Sequence, residues 1–335
     1  MKRIMHTTTA LILFFIMAAC STIAPSAEPT QTMIPVDIQL SWVHEYSSSA
    51  FHAAVRNGHF AAQGMDVTLS VGGFNEQGYI DPIQEVLDGN ADFAMSDGFS
   101  LVQARANGLP VVAVASILQR SPLAVISLET SGITRPQDFA NHTISVAPGG
   151  ANTSFNTLLQ TQNVDPDTLT IVERTSFGIE PLATNEVDGL VGWIINEGVA
   201  LQEQGLAAQY VLMSDYGVDT YDFVLFTSEA TINDNPELVR GVVTATRNGL
   251  EDVISNPAQA VEHTLSYNPE LVEDEQLRRL EATIPLMNVP GQPLGGMDAR
   301  VWEFAQDFML AQNILSEPIA IEEVYTLEFV ADDAN

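Results

Sequence analysis

The sequence predicts an α/β protein of two units, each a mostly parallel sheet flanked by helices. Three observations carry that reading. Strand-like and helix-like segments alternate twice along the chain, a run of helices closes it, and 335 residues exceed what one core ordinarily holds. With 46% apolar residues, 16% charged residues and one cysteine, collagen-like, disordered and disulfide-stapled classes are excluded.

The chain opens with Lys2 and Arg3, then an apolar run over residues 10–19 that ends at Cys20. About ten apolar residues are too few to cross a ~30 Å hydrocarbon core, so this reads as a signal segment rather than a span. Residues 21–35 (STIAPSAEPTQTMIP) are rich in Ser, Thr and Pro without apolar period and read as a flexible tether. No later apolar run approaches the length of a membrane helix.

In the first unit, residues 36–42 (VDIQLSW) alternate as a strand. Residues 49–63 place Phe51, Ala54, Val55, Gly58 and Ala62 on one helical face, with Gly64 as a cap. Residues 65–71 are a second strand and 79–90 a second helix. Residues 93–96, 100–107 and 111–118 continue as strand, helix and β-branched buried strand. The second unit repeats the grammar, with strands at 123–128, 143–147, 169–173 and 189–195 and helices at 152–162, 179–187 and 196–204. From Pro236 onward the pattern is helical: Leu238, Val242, Ala245, Gly249 and Val253 share a face, followed by helices at 257–265, 273–283 and 297–313.

Charge narrows the function. Acids number 43 against 12 basic residues, for a formal net charge of −31, and Lys2 is the only lysine. Nucleic acid and anionic membrane surfaces both require clustered Lys and Arg, so neither is a partner. A small neutral or cationic ligand suits this field.

Catalytic and metal motifs are lacking in the sequence. His44-Glu45 begins like a zinc-protease motif, but Ser48 stands where its second histidine belongs. His52 and His59 share a helical face without an i,i+4 partner, a pattern that amphipathic faces produce on their own. Pro148-Gly149-Gly150 lacks the lysine of a phosphate-binding loop, and no G-x-S-x-G elbow occurs.

Several stretches carry a family resemblance: LSWVHEY, FHAAVRNGHFAAQGMDVTL, VLDGNADFAMSD, ANGLPVVAVASI, GITRPQDFANHTISVAPGG and NPELVRGVVTATRNGLEDVISNPAQAV. Together they resemble ABC-importer substrate-binding proteins, in the group that binds thiamin-precursor pyrimidines, alkanesulfonates and riboflavin. Within it the riboflavin binders are closest, through Trp42, the VHEY run and Trp193. Met17-Ala18-Ala19-Cys20 likewise resembles a bacterial lipobox, which implies lipidation at Cys20 and a protein anchored on the extracytoplasmic face of the cell membrane.

The resemblance implies a two-lobe periplasmic-binding-protein (type II) fold, with the ligand cleft between the lobes. Lobe 1 would take residues 36–122 plus 226–335, and lobe 2 residues 123–225, behind a signal at 1–20 and the tether at 21–35. It implies an ABC permease as partner and no cofactor, with riboflavin as transported ligand. A formylaminopyrimidine or hydroxymethylpyrimidine precursor is the alternative, and an extracellular sensor of the same fold a further one. Eukaryotic relatives that make a thiamin pyrimidine use a cysteine-rich motif, which this chain lacks, so no enzyme activity is expected.

Ligands of open α/β sheets bind beyond the carboxyl ends of the strands. Those ends carry Trp42, Glu45 and Tyr46, then Phe74 and Asn75, then Ser96 and Asp97, then Gln119. In the second unit they carry residues 149–152 with Asn152, then Ser176 and Phe177, then Trp193, Asn196 and Glu197, while Tyr221 and Asp222 precede the return strand. An isoalloxazine ring is flat and nearly neutral, so Trp42, Tyr46 and Trp193 are expected to supply faces for it. Asn75, Gln119, Asn152 and Asn196 would address its polar edge or the ribityl hydroxyls, with Asp97, Glu197 and Tyr221 beside them. Asp97 and Glu197 also fit as helix caps.

Overall fold

The computed structural model describes residues 33–330 apart from 77, 148, 149 and 175–177. In chain order the elements of the first half are β1 (Ile34–Gln39), α1 (Ser49–Arg56), α2 (His59–Ala62), β2 (Met65–Ser70), β3 (Gly73–Asn75) and β4 (Gly78–Ile80). They continue with α3 (Pro82–Leu87), β5 (Phe93–Ser96), α4 (Gly98–Ala106) and β6 (Val111–Ser116). The second unit holds β7 (Leu123–Leu128), β8 (Thr143–Val146), α5 (Gly150–Thr161), β9 (Thr170–Glu173), α6 (Glu180–Ala183), β10 (Gly189–Trp193), α7 (Val199–Glu203) and β11 (Ala208–Leu212). The chain returns through β12 (Val224–Ser228) to α8 (Glu229–Asp234), α9 (Pro236–Ser255), α10 (Pro257–Leu265), α11 (Glu273–Met287) and α12 (Ala299–Ala311).

Two five-stranded sheets result, ordered β2-β1-β5-β12-β6 and β11-β7-β10-β8-β9. Each contains one strand that runs against its neighbours, β12 in the first sheet and β7 in the second. The topology explains why. Both strands enter their sheet from a segment crossing between the units, on the side where the other strands end. Such a strand must run away from the crossing, antiparallel to the rest.

Both faces of each sheet are covered. Val36, Ile38 and Leu40 pack against Phe51, Val242 and Leu280 on one face of the first sheet, and Ala94, Val111 and Phe226 pack against Leu101, Trp302 and Phe308 on the other. In the second sheet, Ile144 and Val191 meet Phe155 and Leu158, while Ile126 and Leu190 meet Leu182 and Leu201. Helices α1 and α9 approach closely because Gly249 has no side chain: a Cβ there would lie 2.1 Å from the Ala50 carbonyl oxygen.

Some expected elements change. The helix at 49–63 breaks into α1 and α2 at Gly58, whose φ of +77° is left-handed. The helix at 79–90 shortens to α3, because Pro82 is its first residue and Asp81 caps it through the Ile83 amide, 2.9 Å away. Tyr79 and Ile80 belong instead to the β3–β4 hairpin. The helix at 179–187 contracts to α6 and ends in a turn where Asn185 takes φ +58°. The helix at 196–204 is a π-helical turn, Ile194–Gly198, followed by α7. Strand β11 has no counterpart in the sequence reading. Val224 and Leu225 pair within the first sheet, two residues ahead of the expected return at 226.

Candidate ligand-binding site

Register places the carboxyl ends of both sheets at the two crossing segments, residues 117–122 and 213–223. Ser96 at the end of β5 pairs with Val224, and Val224 pairs with Ser116 at the end of β6. Trp193 at the end of β10 pairs with Leu123, the first residue after a crossing. The crossings are fastened side by side. The Asp219 carboxylate accepts from the amides of Ser121 and Thr220, each at 2.9 Å. Arg120 donates to Ser214 at 2.9 Å and pairs with Asp215.

On the first lobe, Trp42 follows β1 with 43% of its surface exposed and its ring over Gly73, whose added Cβ would lie 3.1 Å from the indole. Asn75 is exposed on β3. Phe74 lies beside it on β3; the environment of its side chain is outside the description, as are Phe177 and Cys20. On the second lobe, Asn152 is half-buried in the first turn of α5. Trp193 is half-buried, edge-on to Phe223 of the crossing at 6.3 Å.

Other sequence candidates have internal partners. Gln119 is buried, its amide nitrogen 2.7 Å from the Pro293 carbonyl and its oxygen accepting from the Val289 amide at 2.9 Å. The Tyr221 ring lies in the core against Trp302 and its hydroxyl accepts from the Asp298 amide at 2.6 Å. Asp97 caps α4 through the Ser100 amide and hydroxyl, at 2.9 and 2.6 Å. Tyr46 is 3% exposed, with the Arg279 guanidinium 5.8 Å from its ring centre, so it offers no open face. Glu45 stands beside it, its carboxyl pushed above the usual range by burial, against the pull of Arg279.

Asn196 and Glu197 lie in the π-helical turn, a geometry that recurs at functional sites. Asn196 accepts from Arg279 of α11 at 3.0 Å, which joins the two lobes, and Arg278 reaches Glu203 at 2.9 Å nearby. A cavity of about 350 Å³ opens beside this junction, lined by Asn196, Glu197, Glu203 and Arg279. Glu197 is not a helix cap as expected. Its carboxylate accepts from the Trp193 amide at 2.9 Å and from Arg174 at 2.8 Å, and Arg174 also donates to the Val191 carbonyl at 2.9 Å.

Sequence reasoning passed over two residues here, Arg174 and Arg279. Arg174 follows β9 at its carboxyl end, and a basic residue at a strand end in so acidic a chain was the available signal. Arg279 gave no local signal, since its partners come from across the fold. Asp222, noted in the sequence beside Tyr221, stands in the crossing near Asp97 and Asp219; its Oδ2 is shut from solvent with no hydrogen-bond partner among the described residues. Burial pushes its carboxyl up to about 8 and that of Asp219 to about 6.

Comparison with known proteins agrees with this architecture. The family model described as NMT1/THI5 like matches residues 46–260. The riboflavin-binding protein RibY of Chloroflexus aurantiacus is 27% identical, over 98% of this chain and 99% of that protein. The formylaminopyrimidine-binding protein of Halalkalibacterium halodurans is also 27% identical, over 94% and 96%. Among solved structures, a putative periplasmic sulfonate-binding protein SsuA from Methylobacillus flagellatus superposes with a TM-score of 0.64 at 16% identity, covering 89% of this chain and 93% of that one. The likeness extends to the periplasmic-binding-protein fold, with its two mixed sheets flanked by helices.

Proposed function

The chain belongs to the NMT1/THI5-like family, and from that premise we propose that it is the extracytoplasmic solute-binding protein of an ABC importer, carrying riboflavin in the cleft between its lobes to a permease. It binds and does not catalyse. One observation carries the ligand choice. An exposed indole, Trp42, stands at the carboxyl end of a strand in one lobe, and a half-buried one, Trp193, stands at the corresponding end in the other. A wide, flat, nearly neutral ring suits two such faces, each stacking pair worth ~0.5–1.5 kcal/mol beyond its buried area. The similarity to RibY along nearly the whole chain supports the same ligand. Anions are poorly served: Arg120 is paired with Asp215 and Arg174 with Glu197.

Titration with riboflavin is expected to quench both flavin and tryptophan fluorescence, and Trp193→Ala to weaken binding at least tenfold. Tight binding of a formylaminopyrimidine or hydroxymethylpyrimidine, with no response to riboflavin, would overturn the ligand and leave the transport role intact.

The protein is held at the membrane through a lipidated Cys20, the only cysteine. A diacyl anchor buries enough methylenes for stable attachment. Cys20→Ser is expected to release the protein from the membrane fraction without altering ligand affinity, and unchanged fractionation would count against the anchor.

A further inference from the structure

A second concavity, of about 240 Å³, lies in the first lobe between the β3–β4 hairpin, the start of α3 and the length of α4. Its lining is rich in neutral polar groups. Ser100, Gln103 and Asn107 descend one face at i, i+3 and i+7 spacing, with Tyr79 and Asp81 opposite and Ser96 at its inner end. Ser96 closes β5 and pairs with Val224, where the chain returns from the crossing, so the lining reaches the end of the sheet that faces the cleft.

We propose that this groove is a subsite for an uncharged, hydroxyl-rich chain of the bound ligand. In the flavin reading, on which the proposal rests, that chain is the ribityl group. A polyol needs alternating donors and acceptors, since each hydroxyl donates once and accepts twice. The groove supplies them in sequence. Ser100 gives its hydroxyl proton to Asp97 at 2.6 Å, which leaves its lone pairs to accept. The amides of Gln103 and Asn107, both on the exposed surface, make no hydrogen bond to the protein among the described residues, and each offers donors and an acceptor. Ala104 and Leu109 add apolar floor beneath the carbon chain.

The same lining turns away a phosphate. No Lys or Arg is among the described residues that line it. Asp81 lies in the wall, and Asp97 lies close enough to act on the Tyr79 phenol together with it. A dianion here would meet carboxylates with no compensating cation.

Three flavins separate the possibilities, with the intact protein titrated by fluorescence. Lumiflavin keeps the ring and replaces the chain by a methyl, and flavin mononucleotide adds a terminal phosphate to the chain. Riboflavin is expected to bind at least tenfold more tightly than either. Gln103→Leu combined with Asn107→Leu, both on an exposed helix face, is expected to bring riboflavin down to lumiflavin's affinity and leave lumiflavin unchanged. Equal affinities for riboflavin and lumiflavin overturn the subsite and leave the flavin reading standing. Flavin mononucleotide binding as well as riboflavin overturns its preference for an uncharged chain. Failure of all three flavins to bind overturns both the flavin reading and the subsite.

Discussion

Arg174→Ala is expected to destabilise the protein by roughly 3–5 kcal/mol, the range for removing one partner of a buried ion pair. The side chains of Arg174 and Glu197 are 7% and 10% exposed, and their charged atoms stand 2.8 Å apart. Without the guanidinium, the Glu197 carboxylate keeps the Trp193 amide as a partner at 2.9 Å but loses its compensating charge. The Val191 carbonyl loses its donor as well. The effect reaches the ligand cleft, because Glu197 holds the backbone at the end of β10 from which the Trp193 ring projects. Denaturant titration measures the stability loss. The companion double variant, Arg174→Met with Glu197→Gln, is expected to recover most of it: Gln retains an acceptor for the Trp193 amide, and neither residue is charged. A single variant within about 1 kcal/mol of the parent, or a double variant as unstable as the single, would show that the pair is not a buried charge balance.

Asp222→Asn is expected to stabilise the protein at pH 8 and to do so progressively less as the pH is lowered. The folded-state pKa of Asp222, pushed up to about 8 by burial, lies far above the ordinary carboxylate value of about 3.9. Between those values the folded chain holds a proton that the unfolded chain releases. Stability therefore falls as the pH rises through that window, and the stabilising contribution of protonation is gone above the folded value. Asparagine keeps a neutral polar group beside Ser121 and cannot ionise, so the pH slope contributed by this residue disappears. Nearby Asp97 and Asp219 also lose a like-charged neighbour. Buried His52, pushed down to about 3 by burial, titrates in both proteins and cancels from their difference. Thermal melts at pH 5, 6.5 and 8 should show a gap in Tm that widens with pH, by roughly 1–2 °C for each kcal/mol, since unfolding entropy scales with chain length. A gap that stays constant with pH would mean that Asp222 ionises normally.

The parts of the fold that were legible in the sequence are those specified by near neighbours. Strand β2 starts at its expected residue and ends one residue early, and β7 spans its expected residues, because alternation or a β-branched run marks them locally; β5 also spans its expected residues, as a short apolar run bounded by Asp92 and Asp97. Helix α9 is equally plain from the spacing of Val242, Ala245, Gly249 and Val253, all buried. The errors also have local causes. Pro82 and Gly58 are punctuation that the apolar stripe obscured, and the π-helical turn at 194–198 forms where the Glu197 carboxylate is drawn to the Trp193 amide and Arg174.

Composition and motif alone determined that this is an acidic α/β protein whose strand ends carry aromatics and amides, of a kind that binds a small solute. Only the tertiary structure decided which of those strand-end groups remain available to a ligand. Gln119 meets Pro293 and Val289, the Tyr46 amide meets Gln276, and Tyr221 meets Asp298, all partners carried by the C-terminal segment as it folds back onto the first sheet. Trp42 keeps 43% of its surface exposed and Trp193 stays half-buried. The physical reason is range. Periodicity and capping act over a few residues, whereas a buried polar group is satisfied by whatever the finished fold brings within about 3 Å. For these groups that partner lies between 77 and 230 residues away.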